Sequence, residues 1–298
     1  SHPCTSGSRI IVAHYWNLDD EVTFAAWPLL ENATYVNGAL HVGCRSEMQG
    51  ASFTCHFKPT ARSGWIPTEG QPPYGLVRVS MRRAIELPYV ENSYCYRELQ
   101  PTKQSESRRT IGFYFRGGIN IFGAQGKRVR RAMLRLRLDE HLDAHITCTA
   151  HTNMKVGEPG CPSKVTSKET AAAEMYHSTF CLVPRGDTPD SSRLYDAIAC
   201  GCIPIIISDR FHGAFPDAID YARFTLRVTE RDFLADPVGS LRRLTQNVNV
   251  TAFQSAMISE GVRVLYLHPH SRLSELLTGA LTASHARAMK LTHYTSWY

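Results

Sequence analysis

The sequence predicts an α/β protein of two Rossmann-like domains, and three stretches carry that expectation. Glu174 to Asp209, EMYHSTFCLVPRGDTPDSSRLYDAIACGCIPIIISD, reads as a helix end, a buried strand, a loop, a helix from about Ser191 and a second buried strand, which is a βαβ unit. Arg109 to Gly118, RTIGFYFRGG, is a strand running into glycines, the form of a first βα turn whose backbone N–H groups can approach phosphate. Ser8 to Trp16, SRIIVAHYW, is a strand that opens what reads as the later part of a further α/β domain.

In chain order, strands are expected at Ile10, Ile11 and Val12, at Tyr35 and Val36 with Val42, and in AIELPYV before the Pro88 turn. His14 ends the first of these, with Asp19, Asp20 and Glu21 close behind. His14 and Asp20 are candidate proton-transfer groups, and the acidic trio also reads as the first turn of a helix reaching Leu30. Residues 51–80, rich in Gly and Pro, read as a long loop in which Trp65 and Tyr74 could stack on sugar rings or anchor the loop. The polar run 96–109 reads as a linker, giving an N-terminal domain over 1–105 and a C-terminal domain over 106–298.

In the second domain, residues 127–142 (KRVRRAMLRLRLDEHL) predict a helix whose core stripe is Val129, Met133, Leu134, Leu136, Leu138 and Leu142, with the arginines solvated. A strand over 145–151 and a variable loop over 152–168 lead to the βαβ unit. Beyond Asp209, Phe211 and Phe215 are placed against a ligand. Helices are expected over 237–244, 250–267 and 272–291, broken by His268-Pro269-His270.

The loop of the βαβ unit is where chemistry is expected. Pro184 and Gly186 stop the strand, and Ser191 or Ser192 can cap the next helix and leave its first N–H groups to an anion. Arg185 and Arg193 flank the opening, so two guanidiniums could grip a diphosphate. Asp196, one turn after Arg193, could accept hydrogen bonds from a ribose diol; the same two residues also read as a local ion pair.

The net charge of +6 suits anionic small ligands or acidic polysaccharide and falls short of a nucleic-acid signature. No apolar run reaches the ~20 residues of a membrane span. Nine cysteines without a CxxC pair argue against a metal site. With the sequons at Asn32 and Asn249 they favour an oxidising compartment, and Cys148 with Cys161, or Cys44 with Cys55, would close short loops.

FCLVPRGDTPDSSRLYDAIACGCIPIIISD resembles the signature of the exostosin family of inverting glycosyltransferases, in the form of its plant and algal cell-wall members. DAIACGCIPII is similar to the E-A-x-A-x-G-x-P-V-I pattern of GT-B nucleotide-sugar enzymes, with Asp196 at the residue that holds the ribose. Phe115-Arg116-Gly117 and Gly126-Lys127-Arg128 match its F-x-R-G and basic helix start, and Leu87-Pro88-Tyr89 is similar to its V-P-P-Y segment.

The resemblance implies a GT-B-like pair of Rossmann domains, the N-terminal one incomplete, and inverting transfer from a UDP-sugar to a polysaccharide or glycoprotein glycan. Arg116, Lys127, Arg185, Ser191, Ser192, Arg193 and Asp196 would hold the nucleotide sugar, with no metal or other cofactor required. It also implies a Cys181–Cys202 bridge, a Golgi-lumen location as a type II membrane protein anchored outside these 298 residues, and no nucleic-acid partner. A catalytically silent subunit beside a homologous glycosyltransferase, and a basic glycan-binding protein acting through the 127–137 arginines, are the alternatives.

Overall fold

The computed structural model describes residues 10–13, 34–37, 47–49, 52–57, 75–80, 84–98, 109–119, 124–148, 167–186 and 189–294. The chain divides into two compact units, Ser1–Leu87 with Ser274–Tyr298, and Pro88–Leu273. Residues 88–98 therefore group with the C-terminal unit, whereas the sequence places 88–95 ahead of a linker over 96–109; most of that linker, 99–108, lies outside the described residues.

In the first unit β1 (Ile10–Ala13), β2 (Thr34–Asn37) and β6 (Ala84–Glu86) form a parallel sheet in the order β1-β2-β6. A second, antiparallel sheet joins β3 (Glu47–Gln49), β4 (Ser52–Phe57) and β5 (Gly75–Ser80), with Ser52 opposite Ser80 and Phe57 opposite Gly75. This corrects the long-loop reading of 51–80: LVRVS alternates apolar and polar as a half-buried strand does, and the glycines and prolines between the strands mask it. His14, Asp20, Asn32, Cys44, Trp65 and Tyr74 lie outside the described residues.

The second unit opens with the short helix α1 (Cys95–Glu98) and is built on a five-stranded parallel sheet. Its strands are β7 (Ile111–Gly117), β8 (Ala144–Cys148), β9 (Ser178–Pro184), β10 (Ile203–Ile207) and β11 (Leu226–Arg227), in spatial order β11-β10-β9-β7-β8. The order reverses between β7 and β9, so this is a doubly wound sheet with its switch point there. Helices α2 (Ala124–Ala132), α3 (Lys168–Tyr176), α4 (Arg193–Ala199), α5 (Glu230–Ala235), α6 (Pro237–Thr245) and α7 (Val250–Ser259) surround it, and α8 (Leu273–Tyr294) follows.

Side-chain alternation assigns the two faces of the sheet. Phe113, Phe115, Phe180, Leu182, Ile203, Ile205 and Ile207 pack with Val129, Met133, Leu136, Phe233 and Leu241 from α2, α5, α6 and the turn between α2 and β8. Ile203, Ile205 and Ile207 are fully buried, each worth about 1.5–3 kcal/mol in burial. Tyr114 and Arg116 turn the other way, to Glu174 on α3. Pro204 is tolerated inside β10 because β11 is so short: it pairs only with Ile205 and Ile206, so no partner on that side needs the missing N–H.

The 127–142 stretch is not one helix. It passes from α2 into a 3₁₀ segment, Met133–Leu138, and the tighter winding rotates Leu138 out of the stripe, leaving it 81% exposed. Arg130, expected on the solvated face, is buried; its Nε donates to the carbonyl of Arg185 (3.0 Å) and its Nη1 to that of Gly118 (2.8 Å). It thereby ties the ends of β7 and β9 together across the switch point.

Candidate active site

The candidate site is a cleft of about 380 Å³, within the usual range of small-molecule sites, whose walls include Asn92, Arg116, Gly117, Lys168, Arg193 and Asp196. The parallel order directs the carboxyl end of β7 and the starts of α3 and α4 to one rim of the sheet, and the cleft lies between them.

Arg193, first residue of α4, reaches over the end of β7. Its Nε donates to the Arg116 carbonyl (3.0 Å), and its guanidinium lies over the Phe115 ring at 5.2 Å. It fills the space where a Cβ on residue 117 would stand, so only glycine there lets it pass. Burial draws its pKa below the usual value, with the charges of Asp196 and Tyr114 opposing that fall. The charges of Arg193 and Asp196 act on each other, but their hydrogen bonds among the described residues go elsewhere: Arg193 bonds to β7, while the Asp196 Oδ1 accepts the backbone N–H of Asn92 at 2.8 Å. Burial pushes the Asp196 carboxyl up to about 6, against the pull of that hydrogen bond and of the Arg193 and Lys168 charges; Glu91 adds to the rise.

Arg116 lines the same cleft, but its guanidinium forks onto Glu174, Nε at 2.7 Å and Nη2 closer still, and the Tyr114 hydroxyl joins the same carboxylate at 3.0 Å. Glu174 thus holds Arg116 in one orientation. Arg185 is not in this cleft: its Nη1 faces the Glu230 carboxylate at 3.4 Å, which also receives Gln125 Nε2 (2.7 Å) and the N–H of Asp209 (3.2 Å). Lys127 lies half-buried on α2, away from the cleft walls.

The serines do not cap. Ser192 lines the cleft, yet it has helical φ and ψ and makes no side-chain cap bond, and the carbonyls of Ser191 and Ser192 already accept the N–H groups of Leu194, Tyr195 and Asp196. With seven residues and those donors satisfied, α4 offers side chains to a ligand, not its N-terminus. At its other end Gly201, at φ 69°, stops the helix in the left-handed region, and the N–H of Cys202 bonds back to Ala197.

Two disulfides hold that end. Cys181–Cys202 joins β9 to β10, the pair the resemblance names, and Cys95–Cys200 joins α1 to the residue after α4. The second leaves no signal in the sequence, because the partners are 105 residues apart and no local spacing links them. Cys148 is disulfide-bonded, and Cys161 lies outside the described residues. Phe211, edge-on to Tyr221, and Phe215 are both buried, and neither lines the cleft. Asn249 is exposed, and its Oδ1 caps α7 through the Ala252 N–H. Among the described residues, no three His, Cys, Asp or Glu side chains gather as a metal site would require, and no helix is long and apolar enough to cross a membrane.

A doubly wound parallel sheet with a half-buried arginine at its switch point and a carboxylate one turn on defines an α/β protein with a polar cleft at that point. The exostosin GT47 domain model matches residues 77–244, more than half of the chain, and the chain belongs to that family. It is similar to Arabidopsis thaliana "Probable arabinosyltransferase ARAD1", 34% identical over 113 residues, covering 37% of this chain and 25% of that protein. It is also similar to "Probable glucuronoxylan glucuronosyltransferase IRX7" of the same plant, 38% identical over 79 residues (26% of this chain, 16% of that one). The "Exostosin-1 homolog" of Caenorhabditis elegans is 43% identical over 63 residues (21% and 16%). Each match spans a quarter or less of the relative's length. Among solved structures, the Candida albicans trehalose-6-phosphate phosphatase N-terminal domain aligns with 95% of this chain and 72% of its own at 11% identity, TM-score 0.43.

Proposed function

We propose that this chain carries the donor site of an inverting glycosyltransferase that moves a sugar from a UDP-sugar to a polysaccharide or glycoprotein glycan. On this reading its two units are the two halves of a GT-B arrangement. The observation that carries it is Arg193: a half-buried guanidinium on the cleft wall at the switch point whose one hydrogen bond, among the described residues, goes to a backbone carbonyl.

The acceptor hydroxyl oxygen attacks the anomeric carbon from the face opposite the diphosphate. The bond from that carbon to the diphosphate oxygen breaks, and its electron pair leaves with UDP. Arg193, with Arg116 oriented beside it by Glu174, stabilises the charge growing on the leaving oxygens, the larger catalytic contribution. Asp196, ionised above about pH 6, receives the ribose hydroxyls. A base from the first unit, with His14 and Asp20 as candidates, takes the hydroxyl proton, a smaller contribution. Fixed guanidinium charge does the work at the diphosphate, so no divalent ion is invoked there. Family membership and the names of the relatives support the sugar-transfer class.

Calorimetric titration with UDP, together with a UDP-release assay on a panel of UDP-sugars and glycan acceptors, tests this. The wild-type chain is expected to bind UDP, Arg193→Ala to lose binding, and Arg193→Lys, which keeps charge without the fork, to bind more weakly. Undiminished UDP binding by a folded Arg193→Ala chain overturns the assignment.

A further inference from the structure

We infer that Asn92 is the positioning residue of this site, holding Asp196 at its place in the cleft, with the Cys95–Cys200 bond keeping Asn92 there. The inference rests on the nucleotide reading above and adds a residue that neither the motifs nor the family signature mark.

Asn92 is buried at 9% exposure, and each of its polar groups spans a different part of the site. Its backbone N–H donates to Asp196 Oδ1 on α4 (2.8 Å), and its Nδ2 donates to the carbonyl of Lys168, first residue of α3 (2.7 Å). Its Oδ1 accepts the N–H of Tyr94 (3.2 Å), an Asx turn that shapes the chain into α1. One side chain and its own amide therefore join the two helices that wall the cleft.

Three residues on, Cys95 is bonded to Cys200, one helical turn beyond Asp196, so α1 and the end of α4 move together. On the other side Glu91 anchors the same turn. Its buried carboxylate accepts the Tyr96 hydroxyl (2.6 Å) and the N–H groups of Tyr266 (3.0 Å) and Leu267 (2.7 Å). The 91–95 segment is fixed at both ends, with the donor to Asp196 between them.

This matters because a carboxylate receives a ribose diol only when it is ionised and aimed. Burial works against ionisation, Glu91 does too, and the Asn92 N–H, Arg193 and Lys168 are what hold the charge in place. Loosening Asn92 withdraws the first of these and lets the carboxylate turn away.

The test is UDP titration by calorimetry across pH 5 to 8 on wild type and Asn92→Ala, with near-ultraviolet circular dichroism to verify folding. Wild-type affinity is expected to fall as the pH drops through about 6, as Asp196 takes up its proton. In Asn92→Ala the midpoint of that fall is expected to move to higher pH, and the affinity at pH 7.5 to drop about tenfold. A purely structural role would weaken binding at every pH without moving the midpoint. If Asn92→Ala does not fold, Cys95→Ala/Cys200→Ala carries the same test with the same expected displacement. Wild type that binds UDP beside a folded variant with an unmoved midpoint overturns this inference alone. Wild type that binds no UDP at any pH overturns the nucleotide reading, and this inference with it.

Discussion

Substituting Gly117 by alanine probes the site without removing any charged group. A Cβ at this position would stand 2.5 Å from the Arg193 Cζ and 2.9 Å from its Nε, closer than real Cβ contacts come. Gly117 is not among the positive-φ glycines, so the strand backbone itself accepts alanine. The guanidinium must therefore move by roughly 1 Å, a displacement large enough to cost ~10²-fold when it misaligns a catalytic group. The fold should suffer little: the Nε bond to the Arg116 carbonyl, worth about 1.5–3 kcal/mol, is set against the roughly 0.5–1 kcal/mol by which alanine favours a strand. A denaturation midpoint equivalent to a loss of roughly 0.5–2.5 kcal/mol is expected. UDP affinity should fall by ~10- to 150-fold, the value of one charge-assisted contact to phosphate. Calorimetry with UDP and chemical denaturation on the same preparation measure both. A Gly117→Ala chain that keeps wild-type UDP affinity would mean that the position of Arg193 over β7 has no part in holding the nucleotide.

Asp196→Asn should stabilise the unliganded chain in a pH-dependent way. The folded chain raises this carboxyl from its ordinary 3.8 to about 6, so its stabilising contribution is complete below about pH 4 and is lost as pH rises through about 6. An asparagine cannot ionise, so the variant should be more stable than wild type by roughly 2–3 kcal/mol above pH 6, the gap closing toward pH 4; a gap in melting temperature that is constant with pH would refute this. For the disulfides, the separations of 105 and 21 residues imply losses of nearly 5 and about 3 kcal/mol when each is removed as a double alanine variant. Urea denaturation should therefore rank Cys95→Ala/Cys200→Ala below Cys181→Ala/Cys202→Ala, and the reverse ranking would show that native packing outweighs loop closure.

How far the sequence discloses this molecule depends on whether a residue's partner is set by local pattern. FCLV and IPIII announce a parallel sheet because strands covered on both faces are apolar at every position, and they are buried as that pattern requires. That Arg116, Arg193 and Asp196 share one cleft is legible for a related reason: a strand end and the helix after the neighbouring strand meet at the switch point of a doubly wound sheet, so position in the topology brings them together.

Arg130 fails the same test. It belongs to a run of arginines whose period says solvent, and two carbonyls distant in sequence, on Gly118 and Arg185, receive it inside. Arg185 misleads in the opposite direction: its place after the strand suggests the ligand, while Glu230, which begins a helix 45 residues later, supplies a carboxylate beside it. Asn92 gives no signal at all, since its acceptor on Asp196 lies 104 residues away and the donating group is a backbone amide that every residue but proline possesses. Arg130 and Asn92, which tie other parts of the cleft region together, are thus hidden from sequence by the same fact that makes them effective: they act across long separations, on or through backbone groups whose partners only the closed fold provides.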